Sequence, residues 1–552
     1  MNDYIIKEII WEFIKKNKFL VITILFTSLI VYTINSIYIP LILVNISNSE
    51  KKILNENILK LIYLWIISQI IYSLYEYYLS KLDPLLNKFI SNIILEKVFN
   101  KYKYDYLNIN SSELFNKIKT IQYNISILIE RIISIMIPRF LILFFIIFNI
   151  YNINTKIGFY LLFIFIIFII FIIYKSHNNI NIIQNENNII DNINLKLDDK
   201  IKNIQIISSI SQGINNEIKE CDNLTNKILD ISLKTTKETS YIKIIPNIFN
   251  SLILGLILYQ IKDDNKIKSD LIIKIILSIF PLFEHLSELA YFIPDLIYCL
   301  GVLKHNDKFI TNIFKSNNYN YYIENYEFNN FNIYFNNVTF YYKSDKILLD
   351  NFSTNINFPS HLLLYGKSGS GKTSFIKLLL GINKTIKGDI FIDNYNIKNI
   401  DHDTIFKYIS YLPQSLNTLF DDTLYYNLSY GNNLTKEKMN EFLNNNNIDD
   451  IFSNLKIDKN DYMEYNVGLY GTNLSGGQRQ VVNIIRTILN NKSKIVILDE
   501  PTIGLDINYK HKIINLIKNF KEKTIIIISH DEFVLNQFNN KIKFDYLTNP
   551  II

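Results

Sequence analysis

Cysteine is scarce in this chain, and so is any large excess of charge. Only Cys221 and Cys299 occur among the 552 residues, which argues against a disulfide framework. The net charge is only +6, and the lysines are spread along segments that would face an anionic membrane leaflet, which argues against nucleic acid as a partner. The pattern of a cleavable signal peptide is missing too, because residues 4–14 alternate apolar and charged side chains and the apolar segment after them is too long. We therefore expect an interfacial helix at residues 1–18 and a first membrane helix that acts as a signal anchor.

Apolar residues, by contrast, are abundant. They make up 49% of the chain, the mean hydropathy is +0.12, and the excess lies before residue 302. Residues 157–174 form an uncharged stretch of about 18 residues, which is enough to span the hydrocarbon of a bilayer. Similar segments occur at 19–46, 58–79, 132–150, 244–259 and 271–300. The sequence therefore predicts six transmembrane helices and a lipid bilayer as a partner.

The loops between these segments alternate in length. The short connections are residues 47–52, 151–156 and 262–270, and the long ones are residues 80–130 and 175–243. Four lysines precede the first segment, at positions 7, 15, 16 and 18. Because positive charge is retained on the cytoplasmic side, we expect the N-terminus, the long loops and the chain after the sixth helix to be cytoplasmic.

A phosphate-binding loop follows in the second half of the chain. It matches the pattern G-x-x-x-x-G-K-T in full and consists of Gly366, Lys367, Ser368, Gly369, Ser370, Gly371, Lys372 and Thr373, with Ser374 directly after it. The loop joins a predicted strand at 362–365 to a predicted helix at 375–380. Glycines let the backbone wrap phosphates, Lys372 reaches the β and γ phosphates, and Thr373 offers a hydroxyl to magnesium. A glycine-rich turn alone is often only a tight connection, but Lys372 and Thr373 in register indicate nucleotide binding.

A pair of carboxylates follows a second apolar run. Residues 495–498 are continuously apolar, as expected for a strand buried on both faces, and the run ends in Asp499 and Glu500. We expect Asp499 to hold magnesium through its water shell and Glu500 to orient and deprotonate the attacking water. Acids that favour a helix N-terminus are the alternative, which the upstream phosphate loop disfavours.

Three further residues gain meaning from their place in this series. His530 ends the apolar run 525–528 and can contact a γ-phosphate; a surface histidine in a turn is the alternative. Gln414 follows the stretch 411–413 and can contact both magnesium and the attacking water. Tyr342 ends a strand-like stretch and can stack on adenine, although the chain has 38 tyrosines.

Between the loop and the carboxylates lies the most informative motif, Leu474, Ser475, Gly476, Gly477 and Gln478. Together with Asp506 downstream, these ordered motifs resemble the ABC transporter family over essentially the whole chain. The resemblance implies that ATP lies between two cassettes, with Ser475 and Gly477 of one subunit touching the γ-phosphate that Lys372 of the other holds. One chain carries one cassette, so a dimer with a second copy is implied, and a heterodimer is the alternative. Because Glu500 and the signature are both intact, we expect a homodimer with two competent sites.

The first half is similar to the exporter-type transmembrane domain of half-transporters, in which helices continue past the membrane into the cytosol. We expect an interfacial helix at 1–18, an all-α six-helix domain at 19–303, a linker at 304–329, and an α/β P-loop NTPase cassette at 330–552. Predicted amphipathic helices at 111–122 and 204–212 occupy the positions of the family's coupling helices; ordinary loop helices are the alternative. The segment 466–471 lacks the acids and the arginine that usually precede the signature, so a weaker contact with the coupling helices is implied.

Ionisable residues in the predicted last helix are the only hints of cargo. Glu284 and Glu288 are four residues apart on one face, and His285 is adjacent. Charges at membrane depth are costly and usually face a cavity or a partner. They line a path for cationic or amphipathic cargo, pair with Arg139 or Lys274, or lie where the helix has left the bilayer.

The motifs leave three functions open. An ATP-driven exporter of an unidentified substrate is the first, an importer with the same architecture is the second, and an ATP-gated channel or regulatory membrane protein is the third. Six membrane segments exclude a soluble cassette ATPase. ATP and Mg²⁺ are the expected cofactors, and neither the cargo nor the membrane follows from the sequence.

Overall fold

The computed structural model describes residues 3–47, 51–102, 111–210, 213–263, 269–314, 326, 328–342, 347–414, 419–455 and 462–544. The chain divides into two compact units, residues 1–317 and residues 318–552. The first unit is helical and the second combines helices with two sheets.

Eleven helices form the described part of the first unit. They are α1 (Asp3–Lys16), α2 (Lys18–Thr33), α3 (Ile39–Ser47), α4 (Lys51–Tyr102), α5 (Ser111–Arg131), α6 (Ile137–Ile153), α7 (Thr155–Lys202), α8 (Ile204–Ser209), α9 (Gly213–Asp263), α10 (Ser269–His305) and α11 (Asp307–Phe314). Two π-helical segments, Ile34–Tyr38 and Ile132–Met136, join α2 to α3 and α5 to α6 without a break.

Six of the resulting continuous helices are long and apolar enough to cross a membrane. They are Lys18–Ile46, Ile53–Tyr102, Glu113–Ile153, Thr155–Lys202, Gly213–Tyr259 and Ile273–His305. The prediction of six apolar helices is confirmed, and the chain is a multi-pass membrane protein.

Most of the described residues in the two long connections are helical, as the resemblance to exporter-type transmembrane domains implies. The second, fourth and fifth membrane helices reach 50, 48 and 47 residues, well beyond the roughly 20 that a bilayer requires. The helix predicted at 111–122 is not separate, since α5 continues through the π segment Ile132–Met136 into α6. Its apolar face, with Ile118, Ile121 and Ile125, is buried and holds it in place. The helix predicted at 204–212 is found as α8, and residues 211 and 212 lie outside the described residues.

The second unit contains nine described strands and seven helices. The strands are β1 (Ile333–Tyr341), β2 (Ile347–Ile356), β3 (His361–Gly366), β4 (Lys387–Ile392), β5 (Tyr395–Asn396), β6 (Ile409–Leu412), β7 (Ile495–Asp499), β8 (Thr524–Ile528) and β9 (Lys541–Phe544). The helices are α12 (Lys372–Leu379), α13 (His402–Tyr408), α14 (Leu424–Ser429), α15 (Lys436–Asn445), α16 (Gly476–Ile488), α17 (Ile507–Asn519) and α18 (Glu532–Leu535).

The strands form two sheets of different character. One is antiparallel in the order β2-β1-β4-β5, and the other is parallel in the order β6-β7-β8-β3-β9. All residues of β7 and β8 are buried, which explains their continuous apolar sequences. Because the strands are parallel, the residues that follow β3, β6, β7 and β8 meet at one edge of the sheet, where α/β folds commonly bind ligands.

Candidate functional site

The phosphate loop lies between β3 and α12, as the sequence predicts. Gly371 precedes α12 with φ at +105°, a conformation that side chains rarely adopt, and a Cβ there would lie 3.0 Å from the carbonyl oxygen of Leu348. The loop therefore needs glycine at this position, and the first amides of α12 remain available to an anion. Lys372 is only 6% exposed, and its Nζ donates to the carbonyl oxygens of Gly366 at 2.8 Å and Lys367 at 2.9 Å. The loop thus holds its own lysine in place.

The two carboxylates lie where β7 ends. Asp499 is the last residue of the strand, and Glu500 follows with φ at +52°, a strained value for a residue with a side chain. The Glu500 amide donates to the carbonyl oxygen of Ile528 at 2.9 Å, so the neighbouring strand β8 fixes the turn. Strain of this kind is typical of functional sites.

His530 lies at the end of the adjacent strand and faces Glu500. Its Nε2 is 3.5 Å from Glu500 Oε1. This oxygen is buried and accepts no hydrogen bond from any residue that the structure describes. A buried acceptor without a donor is costly, and it leaves one lone pair of Glu500 available for a water proton.

Burial dominates the electrostatics of this site. It raises the pKa of Asp499 to about 6, assisted by the adjacent Glu500 and opposed by Lys372. Burial likewise raises the pKa of Glu500, opposed by hydrogen bonding at His530 and by Lys372. The pKa of Lys372 is lowered by burial, against the attraction of both carboxylates, and burial with Lys372 lowers the pKa of His530. Each of these groups is therefore shifted toward its neutral form.

A cavity of about 340 Å³ joins these elements. Its lining includes Tyr342, Ser368, Gly369, Gly371, Lys372, Thr373, Ser374, Gln414, Asp499, Glu500 and His530, so eleven residues predicted from five separate motifs meet in one place. Gly366, Lys367 and Ser370 belong to the same loop but not to the lining. Asn383 donates to the hydroxyl of Tyr342 at 3.0 Å, and the Tyr342 side chain stays 59% exposed.

Two lining residues were missed from the sequence, Leu348 and Ile528. Leu348 reaches the loop only through the position of β2 against it, which no local pattern reveals. Ile528 is the last residue before Ser529 in the run 525–528, so the motif itself could have indicated it.

The signature motif is placed at the start of α16. Ser475 caps the helix and forms a capping box with Gln478: the Gln478 amide donates to Ser475 Oγ at 3.2 Å, and the Ser475 amide donates to Gln478 Oε1 at 3.0 Å. Gln478 Nε2 donates to the carbonyl oxygen of Ile451 at 2.9 Å. The side chain of Gln478 is therefore engaged within the domain. Ser475 and Gly476 are exposed and Gly477 is half-buried.

Asp506 also begins a helix. Its carboxylate accepts from the amide of Tyr509 at 2.8 Å and caps α17. None of Ser475, Gly476, Gly477, Gln478 and Asp506 lines the cavity of the same cassette.

The cavity fits a magnesium nucleotide chemically. The glycine cradle and the start of α12 suit phosphates, and Thr373, Gln414 and Asp499 supply the oxygen donors that Mg²⁺ prefers. The donor set is hard and oxygen-rich, so it matches this ion better than a softer metal.

A polar cluster lies within the membrane helices. The Arg139 guanidinium forms an ion pair with Glu288 and donates from Nη1 to His285 Nδ1 at 2.8 Å. Because arginine only donates, Nδ1 accepts, and Nε2 of a neutral His285 donates to Ser36 Oγ, 3.0 Å away. Pairing of Glu288 with Arg139 is one of the alternatives that the sequence leaves open, and the structure confirms it. Glu284, in contrast, is exposed. Ser36 belongs to one π segment, and Arg139 follows the other by three residues.

Comparisons with known proteins agree with this geometry. A family model described as ABC transporter matches residues 349–503. An export ATP-binding/permease protein of Rickettsia typhi is 33% identical over 216 residues, which are 39% of this chain and 36% of that protein. The ABC transporter ATM1 of Plasmodium falciparum is 38% identical over 197 residues, which are 34% of this chain and 18% of that protein. These alignments thus span well under half the length of either relative.

The fold comparison covers the whole chain. The structure of a bacterial Atm1-family ABC exporter with ATP bound has a TM-score of 0.80 and covers 97% of this chain and 94% of its own, at 17% identity. At that identity the likeness shows the fold alone. The ABC transporter family model thus matches within the second unit, and the chain, with its six apolar helices before the two sheets, shares the fold of an Atm1-family exporter.

Proposed function

We propose that the protein is an ATP-driven exporter that works as a homodimer. The observation that carries this proposal is the cavity in which Lys372, Asp499, Glu500 and His530 meet, in a chain that also has six helices able to cross a membrane. The names and fold of the relatives favour export over import or a gated channel. The domain limits expected from the sequence, 1–18, 19–303, 304–329 and 330–552, are part of the same proposal.

Binding begins at the phosphate loop. The first amides of α12 and the ammonium of Lys372 bind the β and γ phosphates, and Lys372 exchanges its two carbonyl partners for phosphate oxygens. Tyr342, exposed at the edge of the cavity, stacks on the adenine. Thr373, Gln414 and Asp499 would hold Mg²⁺, which when bound neutralises charge that develops on the phosphates.

Hydrolysis then depends on Glu500. Burial raises its pKa, so its carboxylate is a stronger base toward water than an exposed glutamate. The unpaired Oε1 accepts the water proton, while His530, 3.5 Å from that atom, contacts the γ-phosphate and orients the pair. Gln414 positions the attacking water from the opposite loop.

A second copy completes the site. Ser475, which is exposed, and Gly477, which is half-buried, lie at the start of α16 and outside the cavity of their own cassette, so we assign them to the ATP held by the other copy. Both Glu500 and the signature motif are intact in this chain, which supports two equivalent sites. The cassettes lie on the cytoplasmic side, as the lysines before the first membrane helix indicate.

Reconstitution of the purified chain tests the proposal. We expect magnesium-dependent ATP hydrolysis in liposomes from this chain alone, and stimulation by some member of a panel of candidate cargoes. Uptake of a stimulating, labelled cargo should occur in inverted vesicles and not in right-side-out vesicles. Activity that appears only when a different second chain is added would refute the homodimer, and uptake in right-side-out vesicles would refute export.

A further inference from the structure

Lys523 is a buried lysine that does not line the ATP cavity. It lies directly before β8 and is 8% exposed. Its ammonium donates to the carbonyl oxygen of Ile488 at 2.7 Å, to that of Asn490 at 2.9 Å, and to Ser493 Oγ at 3.4 Å. All three acceptors are neutral, so within the described part of the chain the hydrogen bonds of this buried charge go to dipoles and not to a carboxylate.

The acceptors lie at the C-terminal end of the signature helix. Ile488 is the last residue of α16, and Asn490 follows its cap. The carbonyl oxygens at a helix C-terminus have no intrahelical partner and carry partial negative charge, so a cation there satisfies and stabilises them. Lys523 therefore fixes the end of α16 opposite to Ser475.

The strands β7 and β8 begin next to these acceptors. Ser493 is fully buried, and its hydroxyl donates to the carbonyl oxygen of Asn490 at 2.8 Å. The Thr524 amide donates to the carbonyl oxygen of Lys494 at 3.0 Å, which links the start of β8 to the residue before β7. The other ends of β7 and β8 carry Glu500 and His530. Lys523 thus joins α16 to the strands that bear the catalytic groups.

The contact of Lys523 at the C-terminal end of α16 affects the position of the N-terminal end. α16 has 13 residues, so its two ends are roughly 20 Å apart. Its inner face is packed continuously, since Val481, Val482, Ile484 and Ile485 are all fully buried, so we expect the helix to move as one body. A shift at Ile488 is therefore transmitted along a rigid body to Ser475 and Gly477.

The cost of the buried charge supports a positioning role. Burial lowers the pKa of Lys523 to about 8, so folding destabilises the charged ammonium relative to the neutral amine. An apolar side chain of similar length often stabilises such a position better. A directional anchor, in contrast, requires donors that point at specific carbonyl oxygens.

We propose that Lys523 is a positioning residue for the composite ATP site: it sets the axial position of α16 and thereby places Ser475 and Gly477 against the ATP that the other copy holds. This inference rests on the proposed dimer. Its distinguishing consequence is that loss of Lys523 in one copy impairs the nucleotide bound by the other copy, not the nucleotide bound by its own phosphate loop.

Mixed dimers of differently tagged copies, isolated by two affinity steps, test this consequence. Every copy carries Glu500→Gln so that bound ATP is retained, and one copy per dimer also carries Lys372→Ala, which leaves one competent phosphate loop. In the first pairing, Lys523→Met is on the copy with Lys372→Ala, and its altered α16 faces the competent loop. In the second pairing, Lys523→Met is on the copy with the competent loop, whose ATP meets an unaltered α16. Retained ATP is measured against ATP concentration.

We expect the first pairing to need about tenfold more ATP than the pairing without Lys523→Met, as for loss of a hydrogen-bonded charge, and the second to stay within about twofold. Equal weakening in both pairings, weakening only in the second, or no change in either would overturn the inference. Failure of the pairing without Lys523→Met to retain ATP would instead overturn the proposed composite site, and the inference with it.

Two further variants guard against a general loss of folding. Lys521→Met makes the same change two residues away on an exposed side chain and is expected to leave both pairings unchanged. Lys523→Arg keeps the charge and the donors and is expected to bring the first pairing back to within about twofold. If Lys523→Met prevents assembly, the same two pairings with Lys523→Gln decide the question. An arginine variant as impaired as the methionine variant would overturn the role assigned to the donors.

Discussion

Glu500→Gln is the most direct test of the proposed chemistry. The change keeps the size of the side chain and a hydrogen-bonding group but removes the base. Glu500 is only 5% exposed, and its amide is fixed to Ile528 by a backbone hydrogen bond of 2.9 Å. We therefore expect the turn and the cavity to keep their shape, so that the variant reports on chemistry and not on folding.

The magnitude follows from what the carboxylate supplies. Positioned general bases contribute about a hundred- to ten-thousand-fold to turnover, which corresponds to roughly 3 to 5 kcal/mol of barrier. The raised pKa of Glu500 and its unpaired Oε1 favour the upper part of this range. Binding should survive, because Lys372 and the amides of α12 are unaffected.

Phosphate release from the reconstituted protein measures turnover, and cross-linking measures closure of the two cassettes. Cys221 and Cys299 are first replaced by serine, and one cysteine is introduced at Ile503, which is 55% exposed beside Asp506. Cross-linking between copies should rise with ATP in Glu500→Gln and fall again when Ser475→Arg is added. Normal hydrolysis in the single variant, or cross-linking that ignores ATP, would refute the role of Glu500.

Three other outcomes follow from the structure. Lys372→Ala removes the ammonium that offsets the phosphates, so ATP affinity measured by calorimetry should fall about tenfold or more; Lys377→Ala on the same helix is the control, and unchanged affinity in Lys372→Ala would contradict the assignment. The kcat/KM for ATP should fall as the pH drops through about 6, because burial raises the pKa of Asp499 to about 6 and raises that of Glu500, and both must be ionised. A flat profile down to pH 5 would exclude this. Arg139→Leu should lower the apparent melting temperature in detergent by an amount that corresponds to roughly 1 to 3 kcal/mol, because it leaves Glu288 and His285 without their partner. Arg139→Leu combined with Glu288→Leu should recover part of that loss, and a double variant less stable than the single one would contradict the pairing.

The sequence predicts the cassette well because its signals are local. The runs 362–365, 495–498 and 525–528 are found in β3, β7 and β8, since strands buried on both faces must be continuously apolar. The parallel order of those strands then brings Lys372, Glu500 and His530 together. The capping box of Ser475 and Gln478 follows a readable pattern as well, because a serine stands three residues before a glutamine at the start of the helix.

Features that depend on long-range packing were not predictable in this way. The membrane helices are longer than their apolar segments because each continues as a helix with one buried face, as at Ile118 and Ile125. Hydrophobicity alone locates only the part of a helix that lacks charged residues. Glu288 and Arg139 lie on different helices, α10 and α6, so only the packing of the helices selects Arg139 over Lys274 as the partner of Glu288. Lys523 likewise finds its acceptors through tertiary structure, since nothing in its neighbourhood distinguishes it from exposed lysines nearby.

The raised pKa values of Asp499 and Glu500 have opposite consequences for activity and for stability. The pKa of Asp499 rises from an ordinary 3.8 to about 6, so its contribution to stability is present in acid and is lost as the pH rises through about 6. At neutral pH the ionised form therefore costs about 3 kcal/mol, at 1.36 kcal/mol per pKa unit. Glu500 adds backbone strain of roughly 1 to 3 kcal/mol at φ +52°. A triphosphate beside Lys372 would supply negative charge that stabilises the ammonium, and a cation beside Asp499 would supply positive charge that stabilises the carboxylate. Nucleotide binding is thereby coupled to relief of these costs, and the burial that makes Glu500 a stronger base also makes the cassette less stable without its ligand.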